Sequence, residues 1–227
     1  MGTKYASLIT SLRKKNRFSQ VYIAKKLGLS RQSYMAIEHG DREITLDEAE
    51  QICDIFGLTM EDLAKAVEPK YEKYKQMILV YLKTSISNDG KVPKTKLAKL
   101  LYLADFAWFY QNLKSMSGMQ YFRRAYGPVP DPYFRALSEL EEEGKITVDH
   151  KGDAMLVSLG AGSTKDNSSL LNKGELGLIQ MISSKWKNKR TQEIVTFTHS
   201  QLPYTLCGPD EAIPYELITQ EDPDNVY

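Results

Sequence analysis

The residues of this 227-residue chain whose types and spacing suggest chemistry lie close together, at Arg31, Gln32 and Ser33. They follow Ser30 and open a predicted helix. An arginine can pair with the O6 and N7 atoms of guanine, and a glutamine with the N6 and N7 atoms of adenine, through two hydrogen bonds each. We therefore expect Arg31 and Gln32 to read base edges of DNA, with Ser33 in a secondary role.

Two short helical patterns separated by a Gly-Leu-Ser turn must position these side chains. Ser19 and Ser30 are predicted to cap the two helices, and Gly28 suits the left-handed residue that ends the first one. The second helix of such a pair enters the major groove with its N-terminus first. Ser19 and Gln20 then lie near the sugar-phosphate backbone. The apolar residues predicted to share one core are Val21, Ile23, Ala24, Leu27, Leu29, Tyr34 and Ile37.

Charge is distributed unevenly along this part of the chain. No acidic residue precedes Glu38, whereas eight basic residues do: Lys4, Arg13, Lys14, Lys15, Arg17, Lys25, Lys26 and Arg31. From Glu38 to Asp62 acids dominate, and Arg42 is the one lysine or arginine. One face can then approach a phosphate backbone while the other stays away. Periodicity alone would equally allow an ordinary helical bundle that carries Arg and Gln by chance.

The stretch from Leu12 to Lys65 resembles the Cro/phage-repressor helix-turn-helix family over its five-helix length. The matching positions include Ser19-Gln20, Ile23-Ala24, Leu27 to Ser30, Ile37-Glu38 with Gly40, and Phe56-Gly57-Leu58. Tyr34 departs from the usual Ile or Val. Asp41 and Glu43 also depart, because they leave Arg42 as the one basic side chain of that loop for a backbone contact. The resemblance implies binding to double-stranded operator DNA, and such repressors act as homodimers on paired half-sites.

The length of the chain indicates how many domains it contains. A chain of this size fits two domains, and Pro69 with the flanking charged residues places the boundary near residue 68. We assign residues 1–67 to DNA binding and residues 70–227 to a second domain.

Cys53 and Cys207 fall in different domains, which indicates no disulfide framework and a cytoplasmic setting. No apolar run reaches the roughly 20 residues of a membrane span, and we expect no signal peptide.

The second domain is predicted to be mostly helical with a small β-hairpin, so the fold class is mainly α. Asp105 lies in an apolar helix, where we expect it to pair with an arginine or to cap another helix. Ala125 to Asp131 is predicted as a sharp loop, and Asp131 as a helix cap. The predicted helices are Tyr71–Ser85, Pro93–Asn112, Pro132–Gly144, Asn172–Lys187 and Gln192–His199, the last capped by Thr191. The predicted strands are Met119–Arg124, Lys145–Val148 and Met155–Leu159.

Three blocks of this domain resemble the Panacea domain of toxin-antitoxin systems. They are Leu100 to Asp105, Tyr126 to Pro130, and Thr198-His199 followed by Pro203-Tyr204. The order and spacing match from about Tyr74 to Ile218. The resemblance implies an antitoxin that binds and silences a cognate protein toxin. With an appended helix-turn-helix, it also implies operator binding and control of the shared operon.

Two adjacent arginines among aromatic residues suit a protein interface. We therefore take Tyr121, Phe122, Arg123, Arg124 and Tyr126 as candidate toxin contacts. The alternative is that the tyrosines belong to the core and that the arginines pair with Asp105 or with the acidic run Glu141–Glu143.

Enzymatic chemistry is not expected. The chain has no nucleophile elbow, no HExxH motif and no phosphate-binding glycine loop. Its histidines, His39, His150 and His199, lack ligand spacing, so we expect neither a metal nor a cofactor, and we interpret His199 as a structural residue of a helix end. Two further hypotheses keep the fold: a phage or plasmid repressor without a toxin partner, and an adaptor that delivers its partner to a protease.

Overall fold

The computed structural model describes residues 4–58, 60–65, 71–84, 86–87, 89–152, 154–163 and 168–227. The chain divides into two compact units, residues 1–69 and 70–227. Each unit has its own hydrophobic core. No described helix combines the length and apolarity needed to cross a bilayer.

The first unit consists of short helices whose ends follow local capping chemistry. They are α1 (Lys4–Lys15), α2 (Gln20–Lys26), α3 (Arg31–His39), α4 (Leu46–Phe56) and α5 (Met60–Lys65). Ser30 accepts a hydrogen bond of 3.1 Å from the Ser33 amide, and Gly40 ends α3 at φ +76°. Thr45 and Glu48 form a reciprocal capping box at the start of α4. The sequence also predicts Thr59 as the cap of a short fifth helix, and this residue lies outside the described residues.

The core of the first unit contains most of the predicted apolar residues, but not all. Ile23, Tyr34 and Ile37 are fully buried, and Leu29 is half-buried. Val21 is 59 % exposed, so its predicted place in the core is wrong. It precedes Ile23 by two residues and therefore points roughly 200° away around the helix.

The second unit is mostly helical, as predicted. Its helices are α6 (Tyr71–Lys83), α7 (Lys94–Asn112), α8 (Pro132–Glu142), α9 (Lys173–Trp186), α10 (Thr191–Ser200) and α11 (Leu202–Thr205), with 3₁₀ turns at Tyr215–Gln220 and Pro223–Asn225. Its strands are β1 (Val92–Pro93), β2 (Tyr121–Arg124), β3 (Gly127–Pro130), β4 (Ile146–Lys151), β5 (Ala154–Leu159) and β6 (Ala212–Ile213). Thr191 is the first residue of α10 rather than its cap, because Arg190 occupies the cap position.

The strands form two small antiparallel sheets with the orders β1-β5-β4 and β3-β2-β6. The predicted hairpin is β4 with β5. The predicted loop over residues 125–131 is wrong in part, because β3 pairs with β2 in the register Phe122 to Val129. Pro128 and Pro130 fit there since β3 is an edge strand, where a missing N–H costs no ladder hydrogen bond.

Helix α7 forms the centre of the second core. It is buried continuously from Lys96 to Ala107. The ring of Phe106 stacks on Tyr215 at 4.5 Å and meets the edge of Tyr121 at 5.5 Å. These contacts fix β2 and the C-terminal 3₁₀ turn against α7.

Candidate functional site

The predicted base-reading residues lie in the first turn of α3. The side chains of Arg31 and Gln32 are exposed, and Ser33 is half-buried. The Ser33 hydroxyl lies 2.9 Å from that of the cap residue Ser30, so it takes part in closing the helix end. Arg31 and Gln32 are therefore the two exposed side chains among the three predicted base-reading residues.

A chain of side chains connects Arg31 to the core of the first unit. Arg31 Nη2 donates to Gln20 Oε1 at 3.3 Å, and Gln20 Nε2 donates to Glu38 Oε2 at 2.9 Å. Glu38 accepts two hydrogen bonds from Arg13, from Nε at 2.5 Å and from Nη2 at 3.0 Å. Gln20, which the sequence suggests for phosphate contact, thus orients Arg31 in this structure. The sequence feature that could have indicated this network is Glu38, the first acidic residue of the chain, which follows eight basic residues.

The Glu38 carboxylate holds this network in its ionised form. Burial raises its pKa, but the hydrogen bonds from Arg13 and Gln20 outweigh burial and leave the pKa below its usual value. Arg13 is thereby neutralised by Glu38, whereas the hydrogen-bond partner of Arg31 among the described residues is the neutral amide of Gln20. The charge of Arg31 is therefore not offset by a carboxylate of the described part of the chain.

The other predicted backbone contacts are partly used within the unit. Ser19 accepts a hydrogen bond of 3.1 Å from the Tyr22 amide as the cap of α2. Arg42 forms two hydrogen bonds with Glu48, at 3.1 and 2.7 Å. Glu48 therefore offsets the charge of Arg42, while Lys14, Lys25 and Lys26 are exposed.

In the second unit, Asp105 is fully buried and its partners differ from those predicted. It accepts hydrogen bonds from the Ser117 amide at 2.6 Å, from the Ser117 hydroxyl, and from the Tyr121 hydroxyl at 2.9 Å. Neither an arginine nor a helix end is among these partners. Burial, opposed by these hydrogen bonds, raises the pKa of Asp105 to about 6.

Two of the candidate toxin contacts lie in the core or at its edge. Tyr121 is fully buried and donates its hydroxyl hydrogen to Asp105, so its assignment as a contact is corrected. Phe122 is only 9 % exposed. The alternative that the tyrosines belong to the core therefore holds for Tyr121.

The two arginines of β2 have different partners. Arg124 pairs with Asp210 at 2.5 Å and with Asp131 at 2.9 Å. Asp131 occupies the predicted cap position of α8, but its side chain pairs with Arg124 and forms no capping hydrogen bond. Arg123 donates from Nη1 to the Cys207 carbonyl at 2.7 Å and lies over the Tyr204 ring at 4.8 Å. Pairing of either arginine with Asp105 or Glu141–Glu143 is therefore not found among the described contacts.

The three sequence blocks that resemble the Panacea domain meet in one cluster beside β3. Lys99 of α7 donates from Nζ to the Pro128 carbonyl at 2.9 Å, and His199 stacks on Tyr204 at 4.3 Å. Gly127 has φ +96°, and a Cβ there would lie 2.6 Å from Lys99 Cε and 2.8 Å from His199 Nε2. Only glycine allows this approach. These contacts bring together segments that are far apart in sequence but belong to the same Panacea-like set of motifs.

Two polar groups of this cluster are poorly satisfied. Burial lowers the pKa of Lys99 to about 7. Burial, with the nearby charge of Lys99, also lowers the pKa of His199, and its Nε2 atom is buried without a hydrogen-bond partner. Within the described ranges, no group of three or more His, Cys, Asp or Glu side chains is placed to hold a metal ion.

Comparison with protein families assigns both units. Residues 97–203 match the model described as antitoxin SocA-like, Panacea domain, and residues 9–66 match the model described as helix-turn-helix. The chain joins a helix-turn-helix domain to a Panacea domain. No curated protein and no solved structure matches it. This architecture is that of a DNA-binding antitoxin or regulator.

The exposed part of the Panacea domain near β2 is small. Tyr126, at the turn between β2 and β3, is 80 % exposed, and Arg123 and Arg124 are half-buried. Leu206, which follows α11, is 59 % exposed. Sequence reasoning includes Tyr126 and both arginines, but it misses Lys99 and Tyr204, which support them from beneath.

Proposed function

We propose that this chain is an antitoxin that neutralises a cognate protein toxin through its Panacea domain and represses its own operon through its helix-turn-helix domain. The observation that carries the proposal is the presence of both domain types on one chain. Each domain has exposed groups suited to its proposed role. The first exposes Arg31 and Gln32, and the second exposes Tyr126 beside two arginines.

Operator binding is favoured by the arrangement around Arg31. Gln20 and Glu38 hold its side chain in place, so less rotational freedom is lost when it binds a base. Exposed lysines at the ends of α1 and α2 supply the general attraction to phosphate. The expected result is preference for an operator over random duplex.

Toxin binding by the Panacea domain is favoured by an exposed aromatic side chain, Tyr126, that lies next to a tightly packed cluster. Affinity in protein interfaces comes mostly from a few aromatic and arginine side chains. Tyr126 and Arg123 are such residues, and the packed cluster of Lys99, Gly127 and His199 holds β3, which pairs with the strand of Arg123 and follows the turn of Tyr126. A toxin bound there would be covered or held in an unproductive state.

Co-expression with the product of the neighbouring reading frame tests the toxin-binding half of the proposal. We expect that product to arrest growth alone, to be harmless beside this chain, and to co-purify with it. The Arg31→Ala variant, expressed from a foreign promoter, is the control, because it should rescue growth equally. If the neighbouring product is harmless and never co-purifies, the chain is a repressor without a toxin partner. If a toxin disappears only when a protease is present, the adaptor hypothesis is correct.

Fluorescence anisotropy with the chain's own upstream DNA tests the other half. Binding should be tighter than to random duplex of equal length and should weaken as salt rises. Equal affinity for both duplexes would contradict operator recognition.

A further inference from the structure

The two adjacent arginines of β2 differ in how their charges are compensated. Arg124 is held between the exposed carboxylates of Asp131 and Asp210. Among the described residues, no carboxylate oxygen lies within 4.0 Å of a side-chain nitrogen of Arg123. Arg124 therefore presents a compensated charge to a partner, whereas Arg123 presents an uncompensated one.

The Arg123 guanidinium is fixed in place but keeps one edge open. Its Nη1 atom donates to the Cys207 carbonyl at 2.7 Å, and its plane lies over the Tyr204 ring at 4.8 Å. Its Nε and Nη2 atoms have no protein partner in the described structure, and neither is among the buried atoms without a partner, so both reach solvent. Two N–H groups on one guanidinium edge match the two oxygens of a carboxylate.

Two basic side chains, His199 and Lys99, lie behind this edge. Tyr204 stacks on His199, and His199 lies close to Lys99. No carboxylate within the described ranges forms an ion pair with either side chain. Lys99 is only 2 % exposed, so its charge is screened little by water in the molecules in which its amine is protonated. The unpaired charge of Arg123 therefore provides most of the field that favours an anion at the surface above Tyr204.

We propose that the Nε and Nη2 edge of Arg123 receives an aspartate or glutamate side chain of the partner protein, with Tyr126 packing beside it. This inference rests on the proposed function and names the chemistry of its partner. A protein carboxylate is favoured over a nucleic-acid backbone because Asp131 and Asp210, both largely exposed and next in space to Arg124, would repel a chain of phosphates. The surface thus selects a partner with an isolated acidic side chain.

Binding measurements on the full-length chain compare the two arginines directly. The partner is the co-purified product of the neighbouring reading frame, and Kd is measured for wild type, Arg123→Gln and Arg124→Gln. We expect Arg123→Gln to weaken binding about 10- to 100-fold, mainly through faster dissociation. Arg124→Gln should weaken it less than about threefold, since its charge is already paired. Melting temperatures identify any variant that fails to fold. Equal losses, or unchanged binding by a folded Arg123→Gln chain, would overturn the proposal.

A second measurement needs no partner. Side-chain Nε–H signals of the ¹⁵N-labelled full-length chain are followed by NMR while N-acetyl-aspartate amide is added. We expect the Arg123 signal to shift with saturation and the Arg124 signal to shift less. The proposal fails if Arg123 shifts no more than Arg124. It also fails if dimethyl phosphate at equal ionic strength shifts Arg123 more strongly, which would indicate a nucleic-acid backbone. A chain that captures no partner contradicts the proposed function alone, and the titration still decides the role of Arg123.

Discussion

Asp105 shows at the scale of one residue how burial and hydrogen bonding oppose each other. Its carboxylate has no contact with solvent, yet it accepts hydrogen bonds from Ser117 and Tyr121. The hydrogen bonds favour the charged form and burial disfavours it, and burial has the larger effect on the pKa. The folded protein therefore holds a proton on Asp105 at pH values where the unfolded chain releases it.

This difference predicts an unusual pH dependence of stability. The pKa of Asp105 is about 6 in the folded state against a usual 3.8, so the stability from this group is complete below pH 3.8 and is lost as the pH rises through 6. The change amounts to at most about 3 kcal/mol. Asp105→Asn removes the titration. Urea unfolding at pH 4, 5, 6 and 7 should therefore show the stability of wild type, relative to Asp105→Asn, falling over this range. A constant difference would contradict the prediction.

Arg31 provides a prediction for DNA recognition. Arg31→Ala should weaken operator binding by about 1 to 3 kcal/mol and relax the preference at one base position. The measurement is anisotropy against the operator and against single-base variants of it.

Lys14→Ala is the matched control, because Lys14 is exposed near the end of α1 and carries one charge. It should weaken binding to all duplexes alike and reduce the salt dependence. If Arg31→Ala also lowered affinity equally for operator and random DNA, Arg31 would contact phosphate.

At the scale of elements, local chemistry decides what the sequence can predict. The apolar spacing of the sequence predicts a helix from Leu46 to Phe56, and α4 has these bounds, because each end is set by residues close to it in sequence: a capping box at the start and Gly57 at the end. Similarly, Asn172 caps α9 through Glu175. The strand β6 has no such local signal, since its two residues pair with β2 across about ninety positions of chain. Arg124 could not be assigned to Asp210 for the same reason.

Gly127 tests the close packing between β3 and its neighbours. A Cβ there would meet the end of the buried Lys99 side chain and the ring of His199, so these groups would have to shift within a packed cluster. We expect Gly127→Ala to destabilise the domain by about 1 to 3 kcal/mol beyond the cost of its backbone angle. Gly152→Ala measures that angle cost, since φ there is +58° and no atom lies within 4 Å of the added group. Chemical unfolding of both variants gives the comparison, and equal losses would show that the contact is not tight.

At the scale of the molecule, the two units have separate cores with no shared residue. Deletion of residues 1–66 should therefore leave a folded Panacea domain that no longer binds promoter DNA but still rescues growth. Circular dichroism, DNA binding and co-expression with the toxin measure these three properties. Loss of rescue by a fragment that still melts cooperatively would show that the two domains do not divide the work.

The burial of Lys99 also allows unfolding of the Panacea domain to be detected by chemical modification. An amine with a pKa near 7 is about half in its reactive, uncharged form at pH 7, far more than an exposed lysine, so lack of access is what protects it from an acylating reagent. Lys91 and Lys114 are exposed and will be modified. Mass spectrometry of acylated cell extracts can therefore report how much of the chain is intact, since modified Lys99 would come only from opened molecules.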